Sequence, residues 1–454
     1  MHPAGVSARI EWLSYAFTMI FFTVLVLYVT NHLLISLKAA RRRSEDGTYE
    51  REAEPPREWP RVSVHLPFHN ERRVAARILE ACLGLDYPRD KLEIIVVDDS
   101  EDGTTGIAQG FEIDHPSLVR VIHRRDRRGF KAGALNRALA ESRGEFIAVF
   151  DADYVPPPSF LRETVPYLLS QGDLAFVQTR CGHLNADYNW VTEAAAAAHE
   201  WFWNREQKAR YETGFFTHFG GTGAVFRRRA ILESGGWPEE TLTEDLDLSI
   251  RLLLNGWRYL YIPWITCPGE IPIRLRDLLR QQFRWAKGFT QCLLRHTPGI
   301  LRSRRISRAQ KLEAILQLSS YYTAPALLGL TAMLVVVTAN STPDMLRLTS
   351  LSLLGETLIP LAAGLVALRS QEKEKNREDL RGEGRTEKLR RLLYLAALMP
   401  LFTIVYTRAV LEALLGVTSP FHRTPKYGII TEAYRLADVS LLQETLREMD
   451  NSAA

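Results

Sequence analysis

Cysteine is scarce. The 454 residues hold four, Cys82, Cys181, Cys267 and Cys292, with no Cys-x-x-Cys pair and no metal-ligand spacing. That excludes a disulfide-stapled secreted fold and a zinc ribbon, and it points to a reducing compartment. A dominant sign of charge is also missing. Lys and Arg number 57 against 53 Asp and Glu, a formal net charge of +4, and the pI is 8.8. Nucleic acid is not an expected partner, because its recognition needs a clustered basic face. There is no Gly-x-x-x-x-Gly-Lys-Ser/Thr and no Gly-x-Gly-x-x-Gly after the first apolar strand pattern. A P-loop nucleotidase and a dinucleotide Rossmann domain are disfavoured accordingly. No internal repeat is visible, and the short Ala194–Ala198 tract is a helix former and nothing more.

The sequence does contain long runs free of charge. The mean hydropathy of −0.13 averages over sharply different regions. Ser14–Leu37 lacks Asp, Glu, Lys and Arg, and Lys38 and Arg41, Arg42 and Arg43 follow. A helix needs about 20 residues to cross a bilayer, whereas the apolar part of a signal peptide is about 7–15. Residues 1–43 are thus expected to form an uncleaved transmembrane anchor with residue 40 onward inside. Residues 44–60, with Pro55, Pro56 and Pro60, read as a linker. Residues 61–310 read as a cytosolic domain that includes amphipathic interface helices. Residues 311–416 read as a C-terminal membrane region and 417–454 as a loop and polar tail. Within that region Ala314–Pro343 is free of charge, Leu348–Leu368 carries only Glu356, and Leu392–Thr407 is uncharged but short. Arg369–Arg391 is dense in both signs and is expected to be a solvated cytosolic loop.

In the middle domain, short apolar strands alternate with helical patterns. The strands are Val62–Leu66, Leu92–Val97, Val119–His123, Phe146–Phe150 and Leu174–Val177, separated by Glu71–Leu83, Thr104–Phe111, Lys131–Ser142 and Ser159–Ser170. This pattern predicts an α/β fold with a parallel sheet flanked by helices, whose ligand lies beyond the carboxyl ends of the strands. Those ends are polar: Pro67-Phe68-His69-Asn70-Glu71, Asp98-Asp99-Ser100 and Asp151-Ala152-Asp153. One such carboxylate is usually a loop cap. Three coincident clusters point to a site instead. An Asp-x-Asp pair can converge on a hard divalent cation such as Mg2+ or Mn2+, which prefers oxygen ligands and leaves positions for substrate phosphates.

Two further clusters follow, Thr243-Glu244-Asp245 and Gln281-Gln282-Phe283-Arg284-Trp285. Alone, Thr243 could be a helix N-cap and Trp285 an interfacial aromatic. Together and in order, Asp98-Asp99, Asp151-x-Asp153, Thr243-Glu244-Asp245 and Gln281-x-x-Arg284-Trp285 resemble the membrane-bound family 2 glycosyltransferases, with the cellulose synthase-like and mannan synthase-like branch looking nearest. Gly129–Asn136, Gly221-Thr222-Gly223 and Phe421–Lys426 add to the resemblance, which covers roughly residues 60–430.

The resemblance implies a GT-A-type nucleotide-sugar-binding domain, mostly parallel sheet flanked by helices, with N- and C-terminal transmembrane helices. It implies that Pro67, Glu71 and Asp99 line the base and ribose, with Asp98 supporting them and Lys131 near the nucleotide. Asp151 and Asp153 would hold Mg2+ or Mn2+ and the diphosphate, assisted by Gln281 and Arg284. Asp245 would be the general base. Gly221, Thr222, Glu244 and Trp285 would face the acceptor, and Phe421, Thr424 and Lys426 would belong to a gating loop. His65, His69, His218 and His296 are expected to be structural, since none has metal-ligand spacing.

The implied activity is inverting transfer of a hexose, from UDP-glucose or GDP-mannose, to a growing β-glycan. The alternative is a glycolipid-forming enzyme with a lipid acceptor. A catalytically dead sensor is disfavoured because the expected acids are all present. The expected partners are a nucleotide-sugar donor, a glycan or lipid acceptor, the lipid bilayer, and a second copy or an accessory membrane protein, since few spans make a poor polymer channel. The expected location is a bacterial inner or plasma membrane with the catalytic domain cytosolic. A full crossing at Leu392–Thr407 would carry the gating loop away from the donor. Residues 392–416 are therefore expected to be interfacial or re-entrant, with Arg408 and Glu412 on a wet face.

Overall fold

The computed structural model describes residues 3–46, 53–340, 385–419, 423–432 and 434. After a long helix α1 (Pro3–Asp46), the chain alternates β1 (Val62–Phe68), α2 (Ala75–Leu83), β2 (Leu92–Asp98), α3 (Thr104–Asp114), β3 (Val119–His123), α4 (Phe130–Glu141), β4 (Phe146–Val149) and α5 (Phe160–Ser170). Next come β5 (Leu174–His183), α6 (Trp190–Trp201), a π-helical stretch Phe202–Gln207, α7 (Lys208–Glu212), β6 (Ala224–Arg227), α8 (Arg228–Glu233), α9 (Glu244–Asn255) and β7 (Arg258–Gly269). The last helices are α10 (Leu275–Arg302), α11 (Arg308–Leu318), α12 (Thr323–Asn340) and α13 (Arg385–Leu414).

The seven strands form one sheet in the order β3-β2-β1-β4-β6-β5-β7. β1, β2, β3 and β4 run parallel to one another, as the βα alternation requires. β6 is antiparallel to both β4 and β5, and β7 is again parallel to β5. The sheet is thus mixed, and β6 and β7 are additions to the expected strand set. β6 is only four residues long, and β7 carries Pro263 with a shift in its pairing register. Neither has the uninterrupted apolar run that marks a buried parallel strand.

Side chains alternate across the sheet and create a core on each face. Val62, Val64, Leu66 and Phe68 of β1 pack with Ile78 and Leu79 of α2 and Phe160 and Leu161 of α5. On the opposite face Ile147 and Val149 of β4 meet Leu135 and Leu139 of α4, Phe176 of β5 and Phe226 of β6. All four cysteines are buried free thiols. Strand order reverses between β1 and β4, so a crevice opens beyond their carboxyl ends, the position where doubly wound sheets bind ligands.

Two described helices are long and apolar enough to cross a membrane, Trp12–Arg41 and Leu389–Leu414. α1 packs against α11 and α12. Phe21 lies on Gly329, where a Cβ would come within 2.5 Å of the ring. The Tyr28 hydroxyl donates to the Ser319 carbonyl at 2.7 Å, and Asn31 donates to Glu313 at 3.1 Å.

The charge-free run from Ala314 is not one helix. α11 ends at Leu318, its Ala314 and Leu318 buried with Leu246, Ile250 and Cys292, and a turn at Ser320–Tyr322 separates it from α12. The expected span therefore starts at Thr323. α13 is longer than its short uncharged stretch suggested, and residues 385–391 of the expected solvated loop belong to it. The rest of that loop, Leu348–Leu368 and the tail after residue 434 lie outside the described residues.

Candidate active site

The carboxyl ends of β1, β2 and β4 bring the expected acids together. Register pairs Phe68 with Asp98, and the Asp99 N–H donates to the Phe68 carbonyl at 2.9 Å. Pro67 is the penultimate residue of β1. Asp98 is fully buried and acts as a local brace: it accepts from Thr105 Oγ1 at 2.5 Å and from the Ser100 N–H at 3.2 Å, and it contacts His123 Nδ1 at 3.0 Å. Asp99 receives a forked pair of bonds from Arg124 Nε and Nη2 at 2.7 and 2.5 Å. Such bidentate pairs fix orientation as well as charge. Asn70, in the loop after β1, and Phe130, the first residue of α4, adopt left-handed backbone with φ of 57° and 48°. Strain of this kind in non-glycine residues concentrates at functional sites.

The Asp-x-Asp turn is held from several sides. The Asp151 N–H donates to Thr222 Oγ1 at 3.0 Å. Thr222, expected to face the acceptor, thus has its hydroxyl committed to that turn. Asp153 Oδ2 accepts from the Glu270 N–H at 3.0 Å, and the Asp153 carbonyl accepts from Arg77 Nη2 at 2.9 Å.

Lys131 occupies the middle of the site. Its Nζ is 2.7 Å from Asp151 Oδ1, 3.4 Å from Glu244 Oε1, and donates to the Gly221 carbonyl at 2.8 Å. Burial works against the ammonium, but Asp151 and Glu244 outweigh it and raise the pKa. Gly221 has φ of +86°, and a Cβ there would stand 3.1 Å from Asp245 Oδ2, so a side chain would crowd the expected base. Asp245 Oδ1 accepts from the Leu246 N–H at 2.8 Å. Burial raises the Asp245 carboxyl above the ordinary carboxylate range, with Lys131, that N–H and the Arg284 charge drawing it back. Glu244 is raised in the same way, by burial first. Thr243 makes no side-chain cap to α9; its hydroxyl lies 3.6 Å from Cys292 Sγ. Thr243 thus stands at the N-cap position, with acids in the first turn, without supplying a side-chain cap. Gln281, Arg284 and Trp285 lie together in α10, with the Trp285 ring 5.6 Å from that of His199.

The segment after α13 enters this crevice. Arg423 Nε and Nη2 donate to Glu71 Oε1 and Oε2 at 2.8 and 2.7 Å. Lys426 Nζ donates to Asp153 Oδ2 at 2.6 Å. The Tyr427 and Gly428 N–H groups donate to Glu270 Oε2 at 2.8 and 3.1 Å. Burial raises Glu71 and the Arg423 bonds oppose it, while Asp153 raises Lys426 against its burial. Thr424 lies in this strap; Phe421 falls outside the described residues. At the base of the strap, fully buried Lys287 of α10 pairs with Glu412 at 2.9 Å and donates to Ser419 Oγ at 2.5 Å. Glu412 is therefore turned inward, not onto a wet face; Arg408, 73 % exposed, does face out.

Glu270, Arg77, Arg423 and Lys287 were not among the expected site residues. Glu270 directly follows β7, so the strand-end rule would have found it had β7 been recognised. Each of the four histidines expected to be structural has a partner within the protein. His65 contacts Ser142 Oγ at 2.6 Å, His69 the Asp99 carbonyl at 2.8 Å, His218 Gln317 at 3.2 Å and His296 Asp247 at 2.9 Å.

The donor set suits a hard divalent cation. Asp151 and Asp153 offer carboxylate oxygens only, and each already holds a cation of this chain, the Lys131 and Lys426 ammonium groups. Among the described residues no third His, Cys, Asp or Glu completes a closed cage. That agrees with a metal bound by one or two carboxylates plus substrate phosphates.

A family model described as "Glycosyltransferase like family 2" matches residues 60–288, half of the chain. The chain belongs to glycosyltransferase family 2. Within that family it is 36 % identical over 263 residues to a probable glucomannan 4-beta-mannosyltransferase 7 of Oryza sativa subsp. japonica, covering 56 % of this chain and 45 % of that one. It is 34 % identical over 266 residues to glucomannan 4-beta-mannosyltransferase 2 of Arabidopsis thaliana, covering 57 % and 49 %. The chain thus spans about half the length of these curated relatives. The solved structure of mannosyltransferase PcManGT from Pyrobaculum calidifontis, in complex with GDP-Man and Mn2+, covers 88 % of this chain and 99 % of its own at a TM-score of 0.56 and 23 % identity. That similarity establishes a shared GT-A-type fold. The plant origin of the two relatives gives no support to a bacterial membrane.

Proposed function

We propose that this family 2 chain is a membrane-associated, metal-dependent, inverting mannosyltransferase that uses GDP-mannose and extends a β-linked glycan. The observation that carries the reading is the convergence of Asp151, Lys131, Glu244 and Asp245 around one glycine loop. Donor carboxylates and candidate base thereby share one crevice. The choice of mannose is supported by the names of the plant relatives and of the solved neighbour.

Glu71 and Asp99 bind the nucleoside, with Asp98 and Arg124 keeping that wall in shape. Asp151 and Asp153 hold the divalent cation, which when bound neutralises the leaving diphosphate. Arg284 adds positive charge on the same side. Asp245 takes the proton of the acceptor hydroxyl, and its raised pKa suits it to that task near neutral pH. The acid limb of the transfer rate accordingly lies above the ordinary carboxylate value of about 4. The strap at 423–428 acts as a gate. Lys426, now on Asp153, is the group that would give way to a divalent cation there, freeing the strap to fold over the nucleotide.

α1 anchors the chain in the bilayer with the catalytic domain on its cytosolic side. α13 lies along the interface and does not cross. Arg390, near its start, pairs with Glu193 of α6 at 2.9 Å; Tyr406 donates to Gln282 at 2.6 Å; and Glu412, near its end, pairs with Lys287. Both ends are thus tied to the catalytic domain, which leaves the strap on the donor's side.

The test is a donor and product assay on the purified protein in lipid. GDP-mannose with Mn2+ is expected to give GDP release and a β-mannanase-sensitive product, and UDP-glucose much less. A lipid-extractable product carrying one or a few sugars would move the protein to the glycolipid reading. No transfer from GDP-mannose would overturn the choice of donor.

A further inference from the structure

The π-helical stretch Phe202–Gln207 directly follows the helix that carries His199. Such insertions are rare and gather at functional sites. Within the stretch, Trp203 is buried against Gly220, where a Cβ would come within 2.5 Å of its ring, and a Cβ on Gly221 beside it would stand 3.1 Å from Asp245 Oδ2. One turn earlier, the His199 ring lies 5.6 Å from Trp285 at 36° and 5.2 Å from His183. The end of α6 therefore connects the Asp245 loop to the indole of α10.

Two polar atoms in this wall are shut off from water with no hydrogen-bond partner among the described residues: His199 Nε2 and Oε1 of Gln281, one turn before Trp285. Buried polar atoms are nearly always satisfied in folded proteins, because leaving them unpaired forfeits their hydration. Two such atoms beside the half-buried Trp285 indole are suited to the hydroxyls of a sugar ring whose C–H face lies on the indole.

We propose that His199 is an acceptor-binding residue, its Nε2 hydrogen-bonding a hydroxyl of the acceptor sugar held against Trp285. The inference rests on the glycosyltransferase reading and adds a residue outside the sequence motifs. Burial, aided by the Lys426 charge, lowers the His199 pKa to about 4. The ring is neutral at working pH and can donate to or accept from an uncharged hydroxyl.

The test uses the full chain in lipid with GDP-mannose, Mn2+ and β-1,4-mannotetraose as acceptor. His199→Ala is expected to raise the KM for mannotetraose about tenfold, the loss of one good hydrogen bond. The KM for GDP-mannose and its slow hydrolysis without acceptor should not change. His199→Gln, which returns a hydrogen-bonding group, should recover most of the loss. An unchanged mannotetraose KM in His199→Ala would overturn the proposal, as would equal damage to hydrolysis and transfer without rescue by Gln. A wild-type protein that hydrolyses GDP-mannose but ignores mannotetraose would instead remove the glycan acceptor, and this inference with it.

Discussion

The two halves of the sheet carry their chemistry differently. From β1 to β4, repeated βα units align the strand ends, and the acids follow the strands directly at Glu71, Asp98, Asp99, Asp151 and Asp153. Their braces are near in sequence: Ser100 is two residues from Asp98, and Arg124 is 25 from Asp99. The second half, with its antiparallel β6 and irregular β7, obtains its groups from distant segments. Tyr427 reaches Glu270 across 157 positions and Lys287 reaches Glu412 across 125, and the same strap sends Arg423 and Lys426 back to Glu71 and Asp153 of the first half. In the proposed reading the first half is the donor wall and the second is the transfer apparatus, assembled from segments far apart in sequence.

The sharpest way to test that contrast is to remove the base. Asp245→Asn should lower transfer by about 10²–10⁴-fold, the usual worth of a general base, while leaving GDP-mannose binding intact. Next is the clamp under the strap. Lys287 is fully buried and loses its carboxylate partner in Glu412→Gln. That change should cost about 2–3 kcal/mol, below the full cost of orphaning a buried charge because Ser419 still accepts. Thermal unfolding in detergent would register it. The exposed Arg229–Glu233 pair is the control, and Glu233→Gln should change stability by less than about 0.5 kcal/mol.

Acid should weaken the fold from within. His65 and His218 are held neutral by burial, with pKa values lowered to about 3 and about 4. The unfolded chain takes up those protons near pH 6.5, so this stability is present above that value and is lost as pH falls below it. Each histidine should cost about 2 kcal/mol between pH 7 and pH 5. His65→Gln should flatten the fall in unfolding temperature over that interval. A more modest effect is expected at the strap: Lys426→Met should let Mn2+ bind about tenfold more tightly without nucleotide, read by electron paramagnetic resonance. Equal Mn2+ affinity would separate the strap from the metal carboxylates.

Legibility in the sequence follows the same division. β1 to β4 and their helices are readable to within a few residues because each is a compact apolar run bounded by turn chemistry. The acids at their ends are readable because strand direction alone places them. β6 is too short to stand out, and Pro263 disguises β7, which hides Glu270 behind it. The role of Lys287 depends on Glu412 folding back from another helix, and that of Arg423 on Glu71 from the first strand. The break at Ser320–Tyr322 is likewise invisible in hydropathy, since Ala314 and Leu318 are as apolar in a protein core as in lipid.

The central claim is that the first half binds the donor and the second half transfers the sugar. It is tested most directly by calorimetric titration of GDP-mannose and Mn2+ into the wild-type protein, Asp153→Asn and Asp245→Asn, paired with product formation on the same samples. Asp153→Asn should lose both binding and transfer, and Asp245→Asn should bind like the wild type and transfer about 10²–10⁴-fold more slowly. Transfer at the wild-type rate by Asp245→Asn, or undiminished metal-dependent binding by Asp153→Asn, would contradict it.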